Sequence, residues 1–181
     1  MDETDQQDPA FKTTVIAGSA GDGVPALPIG SLLDEQYRIQ RVQGGPGISG
    51  MGVVYIVEDA GQFFAVKTFQ RRFALNLSFI QRFIREARAW ILTGAHPHIV
   101  RAHFLDIIGA APYLFMEYVP TDGEGRLSLA DHIRSGPVPL REAVPWAIQC
   151  CEGMIHATSA VPGLVHRDLK PENLLIGQDG V

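Results

Sequence analysis

The chain has 181 residues, 46% hydrophobic and 19% charged, which is typical of a soluble globular protein with a buried core. Its net charge of −5, without a block of Lys and Arg, argues against nucleic acid as a partner. The acidic N-terminus lacks the basic start of a secretory signal, and no apolar run approaches the about 20 residues that span a bilayer. Two adjacent cysteines form no long-range disulfide framework, so we expect a reducing, cytoplasmic location without a membrane segment.

The first part of the chain predicts a tail followed by a small antiparallel sheet. Residues 1 to about 30 are rich in Asp, Gly, Ser and Pro and favour a flexible tail, with the folded part starting near Tyr37. Apolar and polar residues alternate over residues 37–42, and strand patterns recur at residues 53–57 and 63–69. Three short strands with tight turns predict an antiparallel meander.

A glycine-rich segment, residues 44–52, separates the first two strands. Glycine lets the backbone approach a ligand and turn its N–H groups toward phosphate oxygens. The signal is weak by itself, because hairpin loops also use glycine. The segment is therefore either a phosphate-binding loop or a plain hairpin loop.

Lys67 ends the apolar run that begins at Phe63 in the third predicted strand, where burying an ammonium group without a partner is costly. It is either a strand-edge lysine that reaches water or a functional cation. A helix follows, with a predicted capping box from Ser78 to Gln81 and apolar residues at helical spacing up to Gly94. Glu86 is predicted on the apolar face of this helix, where a carboxylate needs a cation.

The middle of the chain predicts two further strands, a linker and two helices. A fourth strand follows His96-Pro97-His98, which proline stiffens into an extended turn, and we assign no metal site formed by protein side chains alone. A fifth strand at residues 113–116 runs into a linker. A short helix near residues 127–133 and a longer one over residues 140–159 come next, and Pro145 either starts or kinks the longer one.

A polar loop near the end carries the chemistry. Between apolar flanks it contains His166, Arg167, Asp168, Leu169, Lys170, Pro171, Glu172 and Asn173. Phosphoryl transfer needs a carboxylate to orient a hydroxyl, a cation to offset charge on the phosphate and an oxygen ligand for magnesium. The loop offers all three, and a strand at residues 174–176 with a hairpin turn at residues 177–180 is predicted to follow, so that Val181 begins a returning strand.

These eight residues resemble the catalytic loop of eukaryotic-type (Hanks-type) serine/threonine protein kinases. The resemblance implies Asp168 as the base for the substrate hydroxyl, Lys170 as the phosphate-facing cation and Asn173 as a Mg²⁺ ligand. It also implies that Lys67 contacts ATP phosphates and pairs with Glu86. The ending Gly50-Met51-Gly52 looks like the bacterial branch of the family.

The same resemblance implies an ATP site. Aligned on Gly52, the kinase glycine loop falls on Gly47 and Gly52, with Ser49 at its middle glycine, and residues 44–46 leave the register open. The implied nucleotide-binding residues are Gly47, Ser49, Gly50, Gly52, Val54, Ala65, Lys67, Met116, Glu117 and Val119. Val54 would cover the adenine, Met116 would guard the back of its pocket, and backbone groups of Glu117 and Val119 would bond its edge.

The resemblance implies an α+β, two-lobe kinase-like fold. We expect a tail at residues 1–30, an N-lobe at residues 31–116, a hinge at residues 117–120 and a partial, mainly helical C-lobe at residues 121–181. The partners implied are ATP, Mg²⁺ and a protein with Ser or Thr.

The sequence contains neither D-F-G, whose Asp is the principal magnesium ligand of kinases, nor A-P-E, so we expect a truncated piece that is inactive by itself. A pseudokinase-like binding or regulatory module and a small-molecule phosphotransferase remain as alternatives. Arg167 and Lys170 disfavour the phosphotransferase, and intact catalytic residues disfavour a pseudokinase as the parent protein.

Overall fold

The computed structural model describes residues 11–12, 27–44, 52–70, 73 and 75–178. The chain divides into two compact units. The first comprises residues 1–91 and 102–118, and the second comprises residues 92–101 and 119–181. Residues 92–101 thus belong to the second unit, although the chain enters and leaves them from the first.

Among its described residues, the first unit contains a seven-stranded sheet with the strand order β1-β6-β7-β5-β4-β3-β2. The strands are β1 (Phe11–Lys12), β2 (Leu32–Leu33), β3 (Tyr37–Gly44), β4 (Gly52–Asp59), β5 (Gln62–Phe69), β6 (Ala102–Ile108) and β7 (Ala111–Glu117). Strands β3, β4 and β5 pair antiparallel in sequence, so the predicted meander is confirmed. The predicted fourth and fifth strands are β6 and β7, which also pair antiparallel.

The folded part begins earlier than predicted. Leu32 and Leu33 pair with β3, and Leu33 is only 2% exposed. The Leu27 N–H donates a hydrogen bond to the Tyr55 hydroxyl at 3.4 Å. The start near Tyr37 was therefore wrong, because a two-residue strand is too short to show periodicity. Within the expected tail, β1 pairs in parallel with β6, while residues 1–10 and 13–26 lie outside the described residues.

Aromatic and β-branched side chains fill the core of the first unit. Fully or nearly fully buried members include Tyr37, Ile39, Tyr55, Val57, Val66, Phe69 and Phe115. The Phe115 ring stacks on Phe104 at 4.5 Å between centroids and contacts Tyr37 at 4.7 Å. Such pairs add to the stabilisation from burial alone and fix the strand register that positions the candidate site.

Helix α1 (Leu77–Leu92) lies on this sheet through aromatic contacts. Phe79 and Phe83 meet the Phe69 ring edge-on, with centroids 5.4 and 5.6 Å apart. The Asn76 side-chain oxygen accepts a hydrogen bond from the Phe79 N–H at 3.0 Å, so Asn76 caps the helix. The predicted capping box at Ser78 was wrong, because an equally suitable cap occurs two residues earlier.

The second unit contains helices α2 (Leu129–Ser135) and α3 (Leu140–Ala160), which confirm both predicted helices. Helix α3 runs through Pro145, which lies in its second turn. The proline lacks an N–H to donate, and the helix begins at Leu140 rather than at the proline. Within the part of the chain that the structure describes, no helix is long and apolar enough to cross a membrane.

The strand predicted at residues 174–176 does not form. Leu175 makes a single antiparallel bridge to Ser128. Because Ser128 caps helix α2, the chain there continues as a helix and cannot pair further with residues 174–176. Of the predicted turn that follows, Asp179 and Gly180 lie outside the described residues, as does Val181.

A histidine cluster fastens residues 92–101 to helix α3. The His96 and His156 rings stack with centroids 4.7 Å apart and planes inclined by 28°. His98 Nε2 lies 3.2 Å from a Glu152 carboxylate oxygen, and His156 Nε2 lies 2.8 Å from the Thr93 carbonyl oxygen. These residues are distant in sequence, so no local pattern predicted their contact.

The histidine cluster predicts a loss of stability in mild acid. Burial lowers the pKa of His96, and neighbouring His156 and His98 lower it further, while Glu152 opposes them. Because the unfolded chain then binds a proton at higher pH than the folded chain, stability falls as pH drops from about 6.5 through the folded pKa. Thermal denaturation should show a lower Tm at pH 5.5 than at pH 7.5. A His96→Asn variant should show a smaller difference, and an unchanged difference would contradict the assignment.

Candidate active site

Strand register brings the predicted nucleotide-binding residues of the first unit onto one face of the sheet. Lys67 on β5 pairs directly with Val54 on β4 and with Leu114 on β7, and Ala65 pairs with Met116. Directly paired residues share a face, as do residues two apart along a strand. Val54, Ala65 and Met116 thus form an apolar surface beside the Lys67 side chain.

Gly52 opens β4 next to the stem of Lys67. An ideal Cβ at Gly52 would lie 3.9 Å from Lys67 Cε and 3.7 Å from the Thr68 carbonyl oxygen. Gly47, Ser49 and Gly50 lie outside the described residues, so the register of the glycine loop stays a prediction. Glu117 ends β7 and is exposed, and Val119 begins the second unit's main segment and is half-buried.

Glu86 does not lie on the apolar face of α1 as predicted. Its carboxylate oxygen Oε1 is 2.8 Å from Arg82 Nε, and both side chains are 62% exposed. A long, flexible carboxylate at the edge of an apolar face can turn to a cation one helical turn away. The Lys67 ammonium lies instead over the Trp90 ring, 5.9 Å from its centroid. The sequence analysis counted Trp90 only among the apolar residues at helical spacing and did not predict this contact.

The catalytic-loop residues of the second unit come together around the Asp168 carboxylate. Lys170 Nζ is 3.1 Å from Asp168 Oδ1. The Asn173 amide Nδ2 donates to Asp168 Oδ2 and to the Asp168 carbonyl oxygen, both at 2.8 Å. The Asp168 N–H donates to His166 Nδ1 at 3.3 Å, and Arg167 has a φ of 62°, which turns the loop sharply.

The loop keeps Asp168 ionised. The hydrogen bond from Lys170, followed by the one from Asn173, holds the pKa of the Asp168 carboxyl below its ordinary value. Asp168 is 64% exposed, so a substrate hydroxyl can reach it. The hydrogen bonds of Asn173 use its amide nitrogen, and its carboxamide oxygen is an atom type that Mg²⁺ accepts as a ligand.

Helix α2 holds the far end of the catalytic loop. The Leu129 N–H donates to the Leu174 carbonyl oxygen at 2.8 Å, and the Ile176 N–H donates to the Leu127 carbonyl oxygen at 2.9 Å. Between these bonds, Ser128 and Asp131 form a complete capping box. Hydrogen bonds from Ser128 lower the pKa of Asp131 to about 2, so this anchor persists at any ordinary pH.

Comparison with known proteins identifies the family. The family described as "Protein kinase domain" matches residues 42–181. The chain belongs to this family. Among its relatives are the serine/threonine-protein kinases pkn2 of Myxococcus xanthus and PrkC of Bacillus subtilis. The first is 35% identical over 153 residues and the second 36% over 155 residues, covering 83% and 84% of this chain. The relatives support the bacterial branch of the Hanks-type kinases.

Solved structures agree with the fold. The kinase domain of PknI from Mycobacterium tuberculosis matches 84% of this chain and 58% of its own length, at a TM-score of 0.66 and 25% identity. The two-lobe, α+β kinase fold predicted from the sequence is thereby confirmed. The chain spans only 17% of pkn2 and 22% of PrkC.

Proposed function

We propose that the chain is the nucleotide-binding and catalytic-loop part of a serine/threonine protein kinase, which transfers the γ-phosphoryl group of ATP to Ser or Thr hydroxyls of proteins. The observation that carries the proposal is the Asp168 carboxylate held between Lys170 Nζ and the Asn173 amide. Neither the apolar face beside Lys67 nor the family membership alone would assign these roles.

Three residues of the loop have separate roles in the proposed phosphoryl transfer. Asp168, ionised and exposed, orients the attacking hydroxyl and accepts its proton. Lys170 offsets negative charge on the transferred phosphoryl group, as a cation already positioned beside the carboxylate. Asn173 offers its side-chain oxygen to Mg²⁺, which, when bound, neutralises charge on the phosphate oxygens.

The first unit supplies nucleotide binding. The apolar side chains of Val54, Ala65 and Met116 contact the adenine, and Lys67 contacts the α- and β-phosphates. By resemblance to the kinase glycine loop, residues 47–52 are assigned to the phosphates, with Ser49 in place of the middle glycine. Backbone groups of Glu117 and Val119 bond the adenine edge.

The domain assignment stays part of the proposal. It comprises a tail at residues 1–30, an N-lobe at residues 31–116, a hinge at residues 117–120 and C-lobe residues 121–181, in a cytoplasmic protein. We also propose that residues 1–181 alone transfer no phosphate, because their sequence contains no D-F-G to supply the principal metal-binding carboxylate.

The test compares the full-length protein with residues 1–181. With radiolabelled ATP, Mg²⁺ and a generic Ser/Thr peptide, the full-length protein should label the peptide and the short chain should not. Labelling of the peptide by the short chain, lost in its Asp168→Asn variant, would overturn the inactivity proposal. Full-length protein that binds ATP without labelling any protein would favour a pseudokinase, and labelling of a small molecule would favour a phosphotransferase.

A Lys67→Ala variant tests the nucleotide role separately. We expect weaker ATP binding by the full-length protein, measured by calorimetry, because a phosphate-facing cation is lost. Unchanged binding and turnover would remove Lys67 from the site.

A further inference from the structure

Lys67 and Glu86 each have a neighbour other than the one the resemblance implies. The Lys67 ammonium lies 5.9 Å from the centroid of the Trp90 ring, while Glu86 pairs with Arg82 at 2.8 Å. Arg82, Glu86 and Trp90 are spaced four apart on α1, so they form one row along the helix. The row offers the Lys67 side chain an aromatic face one turn beyond the carboxylate.

We propose that Trp90 is a positioning residue for Lys67, whose ammonium its indole ring holds by a cation–π contact. The inference rests on the proposed function of Lys67 as the phosphate-facing cation. A tryptophan face attracts an ammonium most strongly among aromatic side chains, and the attraction grows when the contact is withdrawn from water. Lys67 and Trp90 are both partly buried, which favours the contact.

The Glu86 carboxylate and the Trp90 ring differ in charge as partners of Lys67. A carboxylate neutralises an ammonium that it binds, whereas an uncharged ring orients the ammonium and leaves its full charge for a phosphate. The stem of Lys67 lies beside Gly52, and its backbone is fixed by pairing with Val54 and Leu114. The end of the side chain lies over the Trp90 ring, which helps to place it.

Glu86 binds a different cation, Arg82. Its pair with Arg82 is solvent-exposed, and such pairs contribute little to stability. The carboxylate can therefore leave Arg82 at small cost, whereas the half-buried indole ring lies beside Lys67. Trp90 thus orients Lys67 whichever cation Glu86 binds.

The test is a double-mutant cycle on ATP binding by the full-length protein. Trp90→Leu should raise the Kd and KM for ATP about three- to tenfold with kcat within about twofold, because a group that aids ground-state and transition-state binding equally is lost. Trp90→Phe, which keeps an aromatic face, should recover most of the affinity. In a Lys67→Met background, Trp90→Leu should have no further effect on the Kd.

The outcomes separate the two claims. Unchanged ATP affinity in Lys67→Met would overturn the proposed function of Lys67. A second outcome would be weaker ATP affinity in Lys67→Met together with a Trp90→Leu effect on the Kd that is absent from both backgrounds, or equal in wild type and in Lys67→Met. That outcome would overturn only the role of Trp90. Equal losses in Trp90→Phe and Trp90→Leu would also overturn it, since only a contact with an aromatic face distinguishes phenylalanine from leucine at this position.

A spectroscopic readout covers the case in which Trp90→Leu fails to fold. The chain has two tryptophans, so a Trp146→Phe background reports Trp90 alone within this chain. If any further tryptophans in the full-length protein are also replaced, Lys67→Met should shift the emission of Trp90, because it removes a charge beside the ring. An Arg85→Met control on the exposed side of α1 should leave the emission unchanged. Identical spectra with and without the Lys67 charge would overturn the contact.

Discussion

Under the proposed function, replacing Asp168 with asparagine should lower the kcat of the full-length protein by roughly 10²- to 10⁴-fold, the range in which general base catalysis contributes. The substitution removes the proton acceptor and the negative charge that the Lys170 ammonium faces at 3.1 Å. It also turns one of the two acceptor oxygens into an amide donor, which must face either the Lys170 ammonium or the Asn173 amide. Peptide phosphorylation under saturating ATP measures the effect.

Glu172→Gln supplies the matched control for this prediction. Glu172 lies in the 3₁₀ turn Pro171–Asn173 of the same loop and is exposed. The change removes a carboxylate charge of the same sign four residues from Asp168. We expect a kcat within about twofold of wild type, since surface substitutions away from special contacts change little. Comparable losses in the two variants would mean that net charge in the loop, rather than the Asp168 carboxylate, controls the rate.

ATP affinity separates loss of chemistry from loss of the fold. Asp168→Asn should bind ATP almost as tightly as wild type, because Val54, Ala65 and Lys67, the proposed nucleotide-binding residues, lie in the first unit. A lower kcat with unchanged Kd assigns Asp168 to the transition state. A parallel loss of both would contradict that role.

Local patterns predicted the sheet and the helices well. Period-two alternation identifies β3, β4 and β5, since one side of each strand is buried and the meander needs only short turns. The same pairing explains why Val54, Ala65, Lys67 and Met116 share a face. The family resemblance suggests that this face binds a nucleotide, and alternation alone does not indicate such a role.

The sequence predictions that were wrong concern places where several local arrangements are nearly equal in energy. Asn76 and Ser78 are both residue types that cap helices well, and in the structure Asn76 is the cap. The Glu86 carboxylate can reach either a neighbouring arginine or a cation on the sheet, and here it binds Arg82. Differences of a few tenths of a kcal/mol decide such choices, and sequence patterns do not resolve them.

Contacts between distant residues were also beyond sequence reasoning. His96 and His156 are 60 positions apart and come together only because residues 92–101 lie against α3. From the sequence alone, a glycine at position 153 indicates only a weaker helix. The structure gives it a different meaning, since this glycine allows the close approach of the two segments.

Gly153→Ala should destabilise the second unit. A Cβ at this position would lie 2.8 Å from the His98 carbonyl oxygen and 3.3 Å from Ile99 Cγ1. The carbonyl oxygen belongs to the backbone and cannot rotate away. The stacked His96 and His156 rings hold the same turn against α3. The turn or the helix must therefore shift.

Two opposing effects determine the size of this loss. Alanine favours a helix over glycine by up to about 1 kcal/mol. Overpacking in a closely packed contact costs about 1–3 kcal/mol. Because the clash involves backbone, we expect the overpacking to exceed the gain in helix propensity, with a net loss of about 1–2 kcal/mol and a Tm lower by several degrees. Thermal denaturation followed by circular dichroism measures the loss.

Gly123→Ala is the control for the change of residue type, because a Cβ there meets no atom within 4 Å. Its Tm should stay within about one degree of wild type. Hydrogen exchange then locates the effect of Gly153→Ala, which should speed exchange in residues 92–101 and in the middle of α3 while leaving β4 and β5 unchanged. A raised Tm would mean that residues 96–99 yield without cost and that the close approach at Gly153 does not hold the segment in place.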